Sequence, residues 1–136
     1  MVPLVAVVDD DISVRESLES LIRSAGLGET VFASAEDFLN PNHPREPDCL
    51  VLDVRLPGMS GVELHRQLMA RSYHVPVIFI TAHGSDDRAR SEAASDWTVA
   101  YLIKPFSEDE LLDAVSAALK WRPNGYGTTV KPKKVL

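Results

Sequence analysis

Leu50-Val51-Leu52-Asp53 is the stretch from which the fold of this 136-residue chain can be read. Three apolar residues run into a carboxylate, and the same form recurs on either side. Val5-Ala6-Val7-Val8 runs into Asp9 and Asp10, Val77-Ile78-Phe79-Ile80 into Thr81, and Tyr101-Leu102-Ile103 into Lys104. Short, nearly continuous apolar runs are the mark of strands buried on both faces, as in parallel sheets. If these runs are parallel strands of one open sheet, their terminal groups all meet at its carboxyl edge, where ligands bind in open α/β folds.

The segments between the runs carry helical punctuation. Val14, Leu18, Leu21, Ile22 and Ala25 fall at i, i+4, i+7, i+8 and i+11, an amphipathic helix stopped by Gly26. Ser34-Ala35-Glu36-Asp37 opens a second helix, through Phe38 and Leu39, that Pro41 closes. Ser60-Gly61-Val62-Glu63 and Ser107-Glu108-Asp109-Glu110 each match a capping box, and the second precedes the stripe Leu111, Leu112, Val115, Ala118 and Leu119. With a weak strand at residues 30–32, five strand and helix units alternate. That order predicts a parallel sheet covered by helices on both faces. Residues 85–96 are the outlier, with helix-forming residues but only three alanines to bury in Ser85-Asp86-Asp87-Arg88-Ala89-Arg90-Ser91-Glu92-Ala93-Ala94. At roughly 25 cal/mol per Å² of buried apolar area, such a segment gains little from packing, which predicts a poorly held, mobile or displaced fourth helix.

Composition sets the outer bounds. Apolar residues at 45% and charged residues at 25% are ordinary globular values and suggest neither disorder nor a membrane protein. The longest apolar run, residues 2–8 with Pro3 inside it, is too short to span a bilayer and leads into three aspartates, so a cytoplasmic chain with no membrane association is expected. The single cysteine, Cys49, excludes an internal disulfide and reads as an inert thiol in a buried strand. Residues 1–122 form the expected domain, and residues 123–136, with Lys131, Lys133, Lys134 and no acid, read as a flexible basic tail. The body then carries 20 acidic against 11 basic groups, a net of −9, which should repel nucleic acid.

The chemistry begins with the carboxylates. Gathered at one edge, Asp9, Asp10 and Asp53 repel one another, since two charges ~4 Å apart cost about 4 kcal/mol at an effective dielectric near 20. A cation must compensate. An all-oxygen cluster suits magnesium, which takes one or two carboxylates, keeps several waters and accepts phosphate oxygens. Lys104 adds a compact ammonium suited to phosphate, and Thr81 adds a hydroxyl donor. A carboxylate is also a nucleophile for phosphoryl groups, giving an acyl phosphate. Catalysis of that transfer is mainly positioning and charge neutralisation, which this set supplies. His43, His65 and His74 lack metal-ligand spacing and receive no role.

The chain resembles the receiver domain of two-component response regulators, in the branch of the nitrogen-fixation-type transcriptional regulators. The resemblance rests on Val7-Val8-Asp9-Asp10-Asp11 with Val14-Arg15-Glu16-Ser17-Leu18, on Cys49-Leu50-Val51-Leu52-Asp53-Val54-Arg55-Leu56-Pro57-Gly58-Met59-Ser60-Gly61, on residues 76–83 and on Tyr101-Leu102-Ile103-Lys104-Pro105-Phe106. It implies a flavodoxin-like (βα)5 three-layer sandwich with a five-stranded parallel sheet of order 2-1-3-4-5. It implies a phosphoacceptor switch in which Asp53 receives a phosphoryl group from a histidine of a sensor histidine kinase, with no enzymatic turnover beyond its own phosphorylation and slow dephosphorylation. Asp10, Asp53 and the backbone carbonyl of Arg55 would ligate Mg2+, with Asp9 acting largely through water. Lys104 would pair with the phosphoryl group, Thr81 would move to hydrogen-bond it, and Tyr101 would be the switch aromatic that turns inward with Thr81. Arg55 and His83 would tune the lifetime of the acyl phosphate, and the Lys104–Pro105 bond would be cis.

Further partners implied are a downstream protein or an output domain of the same regulator, and a second copy in a homodimer. No helix-turn-helix pattern follows residue 120, so direct contact with nucleic acid is not expected. One departure from the family is Trp97-Thr98 where similar proteins carry Gly-Ala, which bears on the fourth helix and its following loop; Trp97 is expected to fill a local gap. Two other readings remain open at this stage. One is a receiver that binds partners without phosphorylation, and the other is a phosphatase of the haloacid dehalogenase type, which would pair its nucleophile with a second aspartate two residues on along the first strand.

Overall fold

The computed structural model describes residues 2–40, 45–82 and 87–121, and within them strands and helices alternate strictly. The strands are β1 (Leu4–Val8), β2 (Gly28–Phe32), β3 (Cys49–Asp53), β4 (Val77–Thr81) and β5 (Thr98–Ile103). The helices are α1 (Ile12–Ser24), α2 (Ala35–Leu39), α3 (Gly61–Ala70), α4 (Asp87–Ala93) and α5 (Glu108–Leu119). All strand pairs are parallel, in the order β2-β1-β3-β4-β5. The expected architecture is therefore the observed one.

Period-two alternation splits the strands' side chains between two cores. Ala6, Val8, Leu50, Leu52, Val77 and Phe79 face α2, α3 and α4. Val5, Val7, Cys49, Val51, Ile78 and Ile80 face α1 and α5, where Leu18, Ile22, Leu111 and Val115 meet them. Strands β1, β3 and β4 are buried on both faces, which is why their sequences are unbroken apolar runs. The residues of β5 are mostly half-buried, in keeping with an edge strand.

Local signals account for the helix ends. Asp11 caps α1, its carboxylate accepting from the amides of Ser13 and Val14, and Gly26 follows the helix at φ +82°. At α5 the capping box is complete, because Ser107 accepts from the Glu110 amide while the Glu110 carboxylate accepts from the Ser107 amide. The box expected at α3 is only half formed. Ser60 accepts from the Glu63 amide, but the Glu63 carboxylate turns to Arg66 at 2.9 Å.

Helix α4 has the thinnest apolar face of the five. It spans seven residues, of which Ala93 alone is buried and Ala89 half-buried, while Arg88, Arg90, Ser91 and Glu92 are exposed. At about 0.8 kcal/mol per buried CH₂-sized group, two alanine methyls contribute far less than the Leu111 and Val115 of α5, each worth roughly 1.5–3 kcal/mol. The expectation of a weakly packed fourth helix matches this burial. Ser85 and Asp86, which belong to the same segment of sequence, lie outside the described residues.

Candidate functional site

Register brings the strand-end groups together. Val8 pairs with Leu52, Asp53 with Ile80 and Thr81 with Ile103, so Asp9, Asp10, Asp53, Thr81 and Lys104 all lie at the carboxyl edge of the sheet. Backbone bonds continue one step past the ladder, from the Val54 amide to the Ile80 carbonyl at 2.9 Å and from the Lys104 amide to the Thr81 carbonyl at 2.7 Å. The Lys104–Pro105 peptide is cis, as expected.

Three carboxylates converge there, with oxygens of Asp9, Asp10 and Asp53 all within 4.8 Å of one another. Asp9 is fully buried, Asp53 nearly so, and Asp10 is exposed. Lys104 Nζ bridges the two buried acids, donating to Asp9 Oδ2 at 2.9 Å and to Asp53 Oδ2 at 3.3 Å. The other oxygen of each is held by backbone, Asp9 Oδ1 by the Asp11 amide at 2.9 Å and Asp53 Oδ1 by the Arg55 amide at 3.0 Å. Thr81 is buried at the end of β4, and Ala82 beside it is exposed.

One ammonium does not balance three carboxylates. Burial pushes the Asp53 carboxyl up to about 6, the Arg55 amide opposing it and the Asp9 charge adding to it, while Lys104 pulls the other way. Burial also works against the Lys104 ammonium, but its hydrogen bond to Asp9 and the charges of Asp53 and Asp9 hold it above the ordinary lysine range. The residual negative charge and the oxygen-only donor set fit a hard divalent cation with room for water on the exposed Asp10 side.

Two residues stood in the stretches that carry the resemblance without any role read from them. Gly61 opens α3 directly behind Asp53, where a Cβ would stand 2.0 Å from the Asp53 carbonyl oxygen. Only glycine allows that approach. In the sequence Gly61 was the second residue of a cap and the last of the stretch resembling the family, with nothing to place it against Asp53. Arg15, one turn into α1, reaches back so that Nη1 donates to the Asp9 carbonyl at 2.8 Å. Asp11 holds no place in the acid cluster, since its carboxylate serves the α1 amides. The two-aspartate first strand needed by the dehalogenase-type phosphatase is therefore missing.

The remaining expected residues lie farther out. Tyr101 is half-buried on β5, its ring 6.3 Å from Phe79, with the Arg90 guanidinium carbon 4.9 Å from the ring centroid. Arg55 is exposed on the loop after β3, and His83 lies outside the described residues. Trp97 lies at the opposite, amino edge of the sheet, where its ring stacks on His74 at 5.3 Å and 7°. Its carbonyl accepts from the Val77 amide at 2.8 Å, so the half-buried ring closes the start of β5, consistent with a gap-filling role.

A half-buried lysine bridging two buried aspartates, with a third, exposed aspartate beside them, stands at the carboxyl edge of a 2-1-3-4-5 parallel sheet. Comparison with known proteins gives the family. The model of the response regulator receiver domain matches residues 5–116. The chain is 49% identical over 115 residues to nodulation protein W of Bradyrhizobium diazoefficiens, covering 85% of this chain and 50% of that protein. Among solved structures it is similar to the response regulator StyR, with 48% identity and a TM-score of 0.75 over 88% of this chain and 60% of that one. The FixJ-N crystal structure matches at 35% identity and a TM-score of 0.78, covering 88% of this chain and 95% of that one. The chain belongs to the response regulator receiver family of two-component systems. It spans about half the length of the curated relatives it matches.

Proposed function

We propose that Asp53 is the phosphoacceptor and that Lys104, Thr81, Asp9 and Asp10 are the machinery around it. The observation that carries this reading is the Lys104 ammonium bridging Asp9 and Asp53 inside a cluster of three carboxylates. Asp53 Oδ1 is held by the Arg55 amide, so Oδ2, which Lys104 touches at the longer distance of 3.3 Å, is the oxygen freer to attack. In the transfer an Asp53 oxygen forms a bond to phosphorus as the bond to the kinase histidine nitrogen breaks, and the imidazole leaves with its electron pair. Lys104 follows the charge from Asp53 to the phosphoryl oxygens while keeping its shorter bond to Asp9.

Asp10, Asp53 and the Arg55 carbonyl would hold Mg2+, with Asp9 acting through water. When bound, the ion supplies charge neutralisation for the incoming phosphoryl group. Phosphorylation adds about −1.5 to −2 charges and three strong acceptors to the pocket. The Thr81 hydroxyl, at the end of β4, turns to one of these acceptors, and Tyr101 moves inward behind it. Arg55 and His83 set how fast water removes the phosphoryl group. The domain works in the cytoplasm, receives its phosphoryl group from a sensor histidine kinase and changes its affinity for a second copy, for a downstream protein or for an output domain of the same regulator.

Incubation with acetyl phosphate and Mg2+, followed by intact mass, tests the acceptor. The expected result is gain of one phosphoryl group by the wild type and none by Asp53→Asn. Equal labelling of both proteins would place the acceptor elsewhere, and no gain by either would leave a receiver that binds partners without phosphorylation.

A further inference from the structure

The carboxylates of the pocket differ in how they are held. Asp9 is fixed at four points: its amide donates to the Phe32 carbonyl at 3.1 Å, Oδ1 accepts from the Asp11 amide, Oδ2 from Lys104, and its carbonyl from Arg15 Nη1 at 2.8 Å. Asp53 is fixed by the Arg55 amide and Lys104. The Asp10 carboxylate has no partner among the described residues, and it is exposed. Its direction is therefore set by its own backbone. That backbone has left the ladder, because the last paired residue of β1 is Val8. The carbonyl of the peptide joining Asp9 to Asp10 finds its donor in Arg15 and not in a neighbouring strand.

From this geometry we infer that Arg15 is a positioning residue for divalent cation binding, acting on Asp10 through the Asp9–Asp10 peptide. The inference rests on the magnesium reading given above. Arg15 is suited to the task for two reasons. It is the fourth residue of α1, so its stem starts from a helix anchored on the core by Leu18 and Ile22. Its guanidinium is half-buried and planar, and it presents its donors in a rigid fork, so the carbonyl it holds cannot rotate without losing a charge-assisted bond.

The inference has a sign that simple electrostatics does not share. Arg15 is a cation beside the carboxylate cluster, and by charge alone its removal should tighten binding of a second cation. Loss of the peptide's anchor should instead weaken binding, since residues that orient metal ligands are typically worth about 10- to 100-fold in affinity. The two effects move the same measurement in opposite directions.

The test is titration of the full chain with Mg2+ by isothermal calorimetry, for the wild type, Arg15→Met and Arg15→Lys. Thermal denaturation in EDTA is run alongside each. Arg15→Met keeps the length and packing of the stem and removes the donors. It is expected to bind Mg2+ about tenfold more weakly, with its metal-free melting point close to wild type, and Arg15→Lys to recover part of the loss. Equal or tighter binding by Arg15→Met overturns the inference, the tighter case showing that Arg15 acts only as a repelling charge. A fall in affinity that simply follows a fall in metal-free stability also overturns it. Should Arg15→Met fail to fold, Arg15→Lys decides alone, weaker binding supporting the inference and unchanged binding overturning it. Failure of the wild type to bind Mg2+ would instead remove the magnesium reading, a result distinct from any of these.

Discussion

Strands β4 and β5 have an acid pocket at one end and run beside a thin helix along their length, and the two regions are held in opposite ways. The pocket is tied by charged hydrogen bonds from the half-buried Lys104, just past β5, to the buried Asp9 and Asp53 at the ends of β1 and β3, so each member depends on the others. Helix α4 has two alanine methyls on the core and relies on a few polar contacts near its C-terminus. Disturbing the pocket should cost the whole domain, whereas disturbing α4 should loosen α4 alone. A switch needs both properties, a rigid place where charge arrives and a weakly held element that can answer.

Removing Lys104 should expose this difference most strongly. Lys104→Met leaves Asp9, with no solvent exposure, and Asp53, nearly buried, without their shared cation. Breaking a buried pair from one side typically costs about 3–5 kcal/mol, and that is the destabilisation expected in urea denaturation at pH 7 without divalent cation. Added Mg2+ should restore part of it, because a second cation is then available to the same carboxylates. A loss under about 1 kcal/mol, the ordinary worth of a solvated surface pair, would mean that the pocket is wet and the contrast with α4 is false.

The contrast also tracks what the sequence disclosed. Asp9, Asp10, Asp53, Thr81 and Lys104 were legible because each ends an apolar run, and parallel register carries strand ends to one edge. The sheet order was legible only through resemblance to a family. Arg15 was not, because helical spacing says which face a residue occupies and says nothing of a guanidinium reaching back six residues to a carbonyl. Gly61 was hidden for a related reason, since close approach of α3 to the Asp53 backbone is a tertiary fact. Around α4 the sequence foretold thin packing from three alanines but not the side chains that compensate for it. His65, set aside for want of metal-ligand spacing, is the main one.

His65 lies buried on α3, its ring edge-on to Phe79 at 5.4 Å, and Nε2 meets Ser95 Oγ at 2.8 Å. Counting protons orients the network. The Thr98 hydroxyl donates to the Ala93 carbonyl at 2.5 Å, so across the 3.2 Å contact Ser95 Oγ donates to Thr98, and His65 Nε2 carries the proton that Ser95 accepts. Burial alone lowers the His65 pKa, and Arg66, next to it in sequence, is paired with Glu63. As pH falls below the ordinary value of 6.5, the unfolded chain takes a proton that the folded ring refuses, so stability present above that pH is lost on acidification. Each pH unit between the two pKa values is worth about 1.4 kcal/mol, and the loss should appear first as lower amide protection at residues 93–98, measured against the intrinsic exchange rate at each pH. In His65→Gln, whose amide can still donate to Ser95, that acid sensitivity should vanish. An acid-dependent loss of protection that persists in His65→Gln would assign it to another group.

The smallest effect concerns the midpoint of α4, where Arg90 lies over Tyr101. Arg90 is exposed, and such a cation over an aromatic face contributes about 0.5–1 kcal/mol at exposed sites. That is too little to affect global stability visibly, but it is comparable to what one alanine methyl gives this helix. Arg90→Ala should therefore leave the denaturation midpoint nearly unchanged while accelerating amide exchange within residues 87–93 roughly two- to five-fold, the factor that 0.5–1 kcal/mol allows. The same contact covers one face of the Tyr101 ring, so under the switch role proposed for Tyr101 its loss should change the ring's environment without phosphorylation, read from the chemical shifts of ¹³C-labelled tyrosine. If Arg90→Ala changes neither exchange nor the Tyr101 signals, the guanidinium is a bystander and α4 is held by its C-terminal network alone. If it lowers global stability as much as Lys104→Met does, α4 belongs to the same cooperative unit as the pocket, and the distinction between a rigid receiver and a loose responder fails.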